Sequence, residues 1–101
     1  MIIYNISIKV NKQIHENWLQ WQKEEHIPEI MATGLFQKYI FSRLLEQDDS
    51  EGPTYVVQYF MDNIESYNLY LSTYAPLLRQ KAMKKWGDQF IAFRSVLEAV
   101  Q

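Results

Sequence analysis

Residues 54–61, TYVVQYFM, constrain the fold most. The run is rich in β-branched and aromatic residues and has the length of a strand. Tyr55, Val57, Tyr59 and Met61 fall on one side. Val56 and Phe60, on the other, are apolar as well. A strand with one wet face carries polar residues at alternate positions. This strand asks for cover on both faces.

Its neighbours in sequence follow two periods. Residues 2–10, IIYNISIKV, alternate, with Ile2, Tyr4, Ile6, Ile8 and Val10 on one side, which predicts a half-buried first strand. Asn11 is suited to cap a helix. Ile14, Trp18, Trp21 and Glu25 then recur at spacings of four, three and four, one helical stripe. Pro28 lacks an N–H and clashes with the preceding turn, so the helix should kink near His26 or stop and restart. Gly34 suits the end of that segment. Residues 35–46 read as the second strand, and 47–53, QDDSEGP, as the polar turn of a hairpin into residues 54–61. Asp62 with Glu65 resembles a capping box. A second helix through Ile64, Tyr67 and Leu71 is interrupted at Pro76, and its last segment ends at Gly87. Residues 89–98 form the fourth strand.

The order β-α-β-β-α-β predicts an α+β, ferredoxin-like fold: one domain over residues 1–101, with a four-stranded antiparallel sheet and both helices on one face. Two helices leave the other face open. Besides Val56 and Phe60, apolar residues on both sides of the second and fourth strands (Leu35, Tyr39, Phe41 and Leu45 against Phe36, Ile40 and Leu44; Ile91, Phe93 and Leu97 against Phe90, Ala92 and Val96) imply a broad apolar patch there. Soluble monomers rarely expose one. The expected cover is a second copy, giving a homodimer packed sheet to sheet.

Charge and composition exclude several function classes. A net charge of −2 leaves no electrostatic case for nucleic acid or an anionic membrane, and the lysines of KAMKK complement a helix end. The absence of cysteine removes disulfides, thiolate metal sites and cysteine nucleophiles. No apolar run approaches the ~20 residues of a membrane-spanning helix. The first residues lack a signal peptide's basic region, so the expected location is the cytoplasm. With three glycines in all, no P-loop, GxGxxG or GxSxG motif is present.

The blocks EEHIPEIMATGLF, TYVVQYF and YAPLLRQKAMKKWGDQFIAFRSVLE resemble a small bacterial family of the Bacteroidetes type known only as a domain of unknown function, and the likeness runs over essentially the whole chain. That family is similar to the dimeric α/β-barrel superfamily. The resemblance implies ferredoxin-like protomers with facing sheets, and a ligand cavity between the helices and the sheet of each protomer. Among those superfamily members, cofactor-free monooxygenases and haem-degrading enzymes use an Asn on the first strand with a Trp and a His from the second helical region. Asn5 matches the first of these. No histidine lies beyond His26, and Trp86 sits at the far end of its helix, so the resemblance carries a pocket and no reaction. No cofactor is expected.

The candidate site residues follow from side-chain chemistry. His26 titrates near neutral pH and is the candidate acid or base for a cofactor-independent oxygenase or isomerase. Trp18 and Trp21 share a helix face and could hold a small aromatic or apolar ligand against the sheet, although such pairs more often anchor a helix. Asn5 and Tyr59 are the candidate positioning groups. Arg43 and Arg94 are expected at the dimer seam or on an anionic ligand. His15 lies eleven residues before His26, roughly 16 Å along a helix axis, so the two cannot share a metal, and none is expected. Three functions remain open: a ligand-binding module, a cofactor-independent enzyme, and a structural dimer that binds other proteins.

Overall fold

The computed structural model describes residues 1–101. The strands are β1 (Ile2–Val10), β2 (Lys38–Arg43), β3 (Thr54–Met61) and β4 (Phe90–Glu98). The helices are α1 (His15–Trp21), α2 (Ile27–Met31), α3 (Ile64–Thr73) and α4 (Ala75–Trp86), with a π-helical turn over Gln22–His26 joining α1 to α2. The sheet runs β2-β3-β1-β4 with every pair antiparallel. This is the ferredoxin-like α+β fold expected from the element order. The shortest dimension is 19 Å, the thickness of one helix layer on one sheet.

Alternation decides which residues enter the core. Ile2, Tyr4, Ile6, Ile8 and Val10 of β1 and Tyr55, Val57, Tyr59 and Met61 of β3 are all buried under the helices. From the helix layer come Trp18, Trp21, Ile27, Ile30, Tyr70, Ala75 and Leu78. Tyr4 is the aromatic hub, with ring centroids 5.3 Å from Tyr67, 5.7 Å from Tyr70 and 6.2 Å from Tyr59.

The first helical region departs from the expected kink or stop. Pro28 cannot donate a hydrogen bond to the preceding turn. The chain responds by inserting one residue. The N–H of Ile27 reaches five residues back to the carbonyl of Gln22, and regular α-helix resumes with Ala32 N–H on Pro28 O. The extra residue rephases the buried stripe. Glu25, expected on it, is exposed, and its place is taken by Gln22, His26 and Ile27.

Other boundaries shift by a residue or more. Asn11 does not cap α1; its Oδ1 accepts from Gln13 N–H in a local turn, and the helix begins after Ile14. Helix α3 is capped by Asn63, whose Oδ1 accepts from Ser66 N–H, one residue later than the Asp62–Glu65 pattern suggests. Tyr74 separates α3 from α4, and Pro76 lies in the first turn of α4, where its missing N–H costs nothing. Strand β2 is shorter than the expected 35–46. Phe36 precedes it and turns into the core against Tyr59 and Tyr70. Past the strand, the positive φ of Glu46 takes the chain out of extended geometry.

The hairpin loop after β2 is tied to the end of β1. Val10 N–H donates to Pro53 O, Lys12 N–H to Glu51 O, and the Lys9 ammonium to Gly52 O. Gly52 is buried there at φ +138, and a Cβ at this position would lie 1.7 Å from Val10 O.

The open face of the sheet is mixed rather than uniformly apolar. Ile3, Ile40, Val56, Phe60, Ile91, Phe93 and Leu97 lie on it, and Phe93 is 70% exposed. A polar row crosses it, formed by Gln58, Asn5 and Ser95 in register on β3, β1 and β4.

Candidate functional site

The helix layer does not close completely on the sheet. A cavity of about 40 Å³ lies between them, lined by β1, β3 and β4 below and by α1, the π turn, α2, α3 and α4 above. That is room for a few atoms. A wider surface groove of about 330 Å³ shares Arg79, Ala82, Phe90, Ala92 and Arg94 with the cavity, so the two adjoin at the gap between α4 and the edge strand β4.

Four of the five expected site residues converge on this cavity. Trp18, Trp21, His26 and Tyr59 all line it. Asn5 does not. It sits one position out of phase with the buried residues of β1 and stands on the open face, in the row with Gln58 and Ser95. Asn5 is therefore cut off from the cavity by the sheet itself. Arg94 also departs from expectation. It pairs with Ile6 on the helix side of β4, lines the cavity, and is absent from the open face where a sheet-to-sheet seam would lie. Arg43 is likewise on the helix side and is taken up by Asp49 at 2.8 Å.

The two tryptophans behave differently. Trp18 is 1% exposed and wedged between Tyr55, at 5.4 Å, and Phe41, at 6.3 Å, as a core anchor would be. Trp21 carries His26 stacked on it, centroids 4.5 Å apart and planes within 19°, and meets Trp86 edge-on at 5.8 Å. The π turn creates this stack by bringing His26 to the cavity side. Burial strips water from the imidazole and pulls its pKa down to about 4. Glu29 acts in the opposite direction, while Arg94 and Lys81 reinforce the fall. His26 is therefore a neutral ring at pH 7. His15 is elsewhere, sharing a hydrogen bond of 2.6 Å with the Tyr55 hydroxyl.

Gln22 and Arg79 were not foreseen from the sequence. Gln22 is 3% exposed, lies on the π turn and lines the cavity, yet its Oε1 has no hydrogen-bond partner. Buried amides are nearly always paired, so an orphan at a cavity wall marks a place where something polar can be received. Arg79 donates from Nη2 to the Tyr4 hydroxyl at 3.0 Å, while its Nε is buried and unpaired. Burial raises the pKa values of Tyr59 and Tyr70 well above the ordinary phenol, so both are neutral hydrogen-bonding groups there. A helical glutamine on a π turn carries no sequence signature beyond the proline six residues later.

No Asp or Glu lines the cavity or its groove. No group of three or more His, Asp or Glu side chains converges anywhere in the chain. No helix is long and apolar enough to cross a membrane.

Solved structures share this architecture at low sequence identity. An ethyl tert-butyl ether D (EthD) family protein from Bacillus halodurans aligns with a TM-score of 0.70 at 16% identity, over 99% of this chain and 100% of that one. A dimeric ferredoxin-like protein from an uncultured marine organism aligns with a TM-score of 0.65 at 13% identity, over 99% and 95%. SnoaB, a cofactor-independent oxygenase from Streptomyces nogalater, aligns with a TM-score of 0.66 at 10% identity, over 99% and 93%. At these identities the likeness is one of fold. No curated protein matches the chain significantly. One family model does, over residues 1–100, and the chain belongs to that family, the domain of unknown function DUF4286.

Proposed function

We propose that this chain is a small-molecule-binding protein whose ligand enters between α4 and β4 and reaches the cavity beneath the π turn. The observation that carries the reading is the unpaired amide oxygen of Gln22, buried at the wall of a cavity that adjoins a surface groove. A side chain placed only for stability would be costly there, because an unsatisfied buried polar atom costs about 1–3 kcal/mol. Trp21 and Tyr59 supply aromatic surface suited to an aromatic or apolar ligand.

A catalytic role for His26 is the second reading, favoured by its neutral imidazole at the cavity. A base with a pKa near 4 drives proton abstraction poorly at neutral pH, so binding ranks ahead of turnover. The working unit of the proposal is a homodimer formed through the open face. Phe93, Ile91 and Ile40 are exposed on that face, and the molecule's long axes of 38 and 31 Å leave area for the roughly 800 Å² per partner of a stable interface. Two solved structures of similar fold are described as dimeric ferredoxin-like proteins.

The test is an amide and indole NMR titration with one- and two-ring aromatic probes, neutral and acidic, at millimolar concentration. The expected result is shifts at Trp21, Gln22 and His26 that vanish in Ala82→Trp, which fills the groove. Shifts that persist in Ala82→Trp, or none near the π turn, refute the reading.

A further inference from the structure

The cavity and its groove together hold two guanidinium groups and no acid. The chain forms two ion pairs, Arg43 with Asp49 and Lys81 with Glu29. Arg79 and Arg94 belong to neither. Both sit where the groove meets the cavity. We propose that the ligand is an apolar carboxylic acid: its carboxylate lies between Arg79 and Arg94, its apolar body lies along the groove against Ala82, Met83 and Phe90, and only its inner end enters the cavity toward Gln22. This rests on the pocket being a ligand site, and specifies the chemical class that site takes.

Arg79 is a hydrogen-bond donor prepared for an anion. The hydrogen bond from its Nη2 to Tyr4 fixes the guanidinium plane, and the Nε–H remains buried without an acceptor. A guanidinium presents N–H groups in a fork that matches two carboxylate oxygens. Arg79 is half-buried, so an anion there is attracted more strongly than in bulk water. Arg94, more exposed, contributes a second positive charge from the edge strand.

The rest of the lining sets the ligand's body. Most of the cavity wall is hydrophobic, and Ala82, Met83, Phe90 and Ala92 line the groove with the two arginines. Inorganic phosphate would satisfy the arginines and leave that apolar surface unused. A neutral aromatic would use the surface and leave the arginines unpaired. An acid with one aromatic ring system uses both, and a polar group at its far end meets the amide of Gln22. His26, uncharged at neutral pH, adds no third cation and stacks as a ring.

The experiment compares matched acids and amides, phenylacetate against phenylacetamide and indole-3-acetate against indole-3-acetamide, with inorganic phosphate as a third probe. Binding is followed by NMR titration of the full chain and of Arg94→Gln and Arg79→Gln. The expected result is binding of the acids at least ~10-fold tighter than the amides, the loss of one charge-assisted hydrogen bond being worth about that factor. Arg79→Gln should remove most of that preference and Arg94→Gln, at the more exposed position, part of it; a preference unchanged in both variants overturns the anion inference. Amides that bind in the pocket as tightly as the acids overturn the anion inference and leave the pocket reading standing. Phosphate binding as tightly as the acids overturns the apolar-acid class. Binding by none of the probes overturns the inference together with the pocket reading.

Discussion

His26 makes the stability of this protein depend on pH in a window where few other groups titrate. In the unfolded chain its imidazole ionises near 6.5, and in the folded chain burial holds it to about 4. Between these values the unfolded state binds the proton and the folded state does not, so stability falls as pH drops. The contribution is complete above about pH 6.5 and shrinks through the window toward pH 4. The full separation corresponds to about 3 kcal/mol, of which about 2 kcal/mol is lost between pH 7 and pH 5. For a domain of this size that is roughly 10 °C in Tm. The perturbation is His26→Phe, which keeps a ring on Trp21 and removes the titration. Urea unfolding at pH 7, 6 and 5, at fixed protein concentration, should show the wild type losing about 2 kcal/mol more than the variant across that range. An NMR titration of the His26 ring protons should have its midpoint near pH 4. Parallel stability curves, or a midpoint at the ordinary histidine value, would refute the buried neutral stack.

Two further predictions concern the open face and the hairpin loop. Phe93→Lys places a charge on the exposed face and should leave the protomer folded while converting a dimer to a monomer in sedimentation equilibrium; a wild type that is monomeric at micromolar concentration refutes the sheet-to-sheet assembly. Gly52→Ala drives a Cβ into Val10 O, held there by the Val10–Pro53 hydrogen bond, and should cost about 3 kcal/mol or more in urea unfolding, whereas Gly34→Ala, with no atom within 4 Å of its added Cβ, should cost only about 1 kcal/mol. Equal losses at the two glycines would refute the close approach.

The strands were legible where a period could be counted. TYVVQYFM falls on β3 from Thr54 to Met61 as expected, because each residue of it is either core or half-covered sheet. Strand β2 is shorter than its sequence pattern suggests, since Leu35 and Phe36 look like strand residues and only tertiary packing turns Phe36 inward. The face of Asn5 followed from the alternation of β1 once the helices had chosen the isoleucine side. Its assignment to a pocket rested on resemblance, and the geometry of the sheet removes it. Arg79 was invisible for a different reason: its partner Tyr4 lies 75 residues away, and no local pattern connects them.

The stretch from Trp18 to Ile30 shows how one residue type can shape both packing and site. A plain α-helix would continue the Trp18–Trp21 stripe through Glu25, and a carboxylate would then face the core, where an unpaired charge is costly. Pro28 removes the hydrogen bond that would enforce that phase. The added residue of the π turn sends Glu25 to solvent and brings His26 onto Trp21. It also leaves Gln22 buried with its oxygen unpaired, in a turn of a kind frequent at functional sites. Packing alone would be served as well by leucine at position 22. Under the proposed function the glutamine is there to meet a polar group of the ligand, and the helix break and the candidate site are then one feature of the chain.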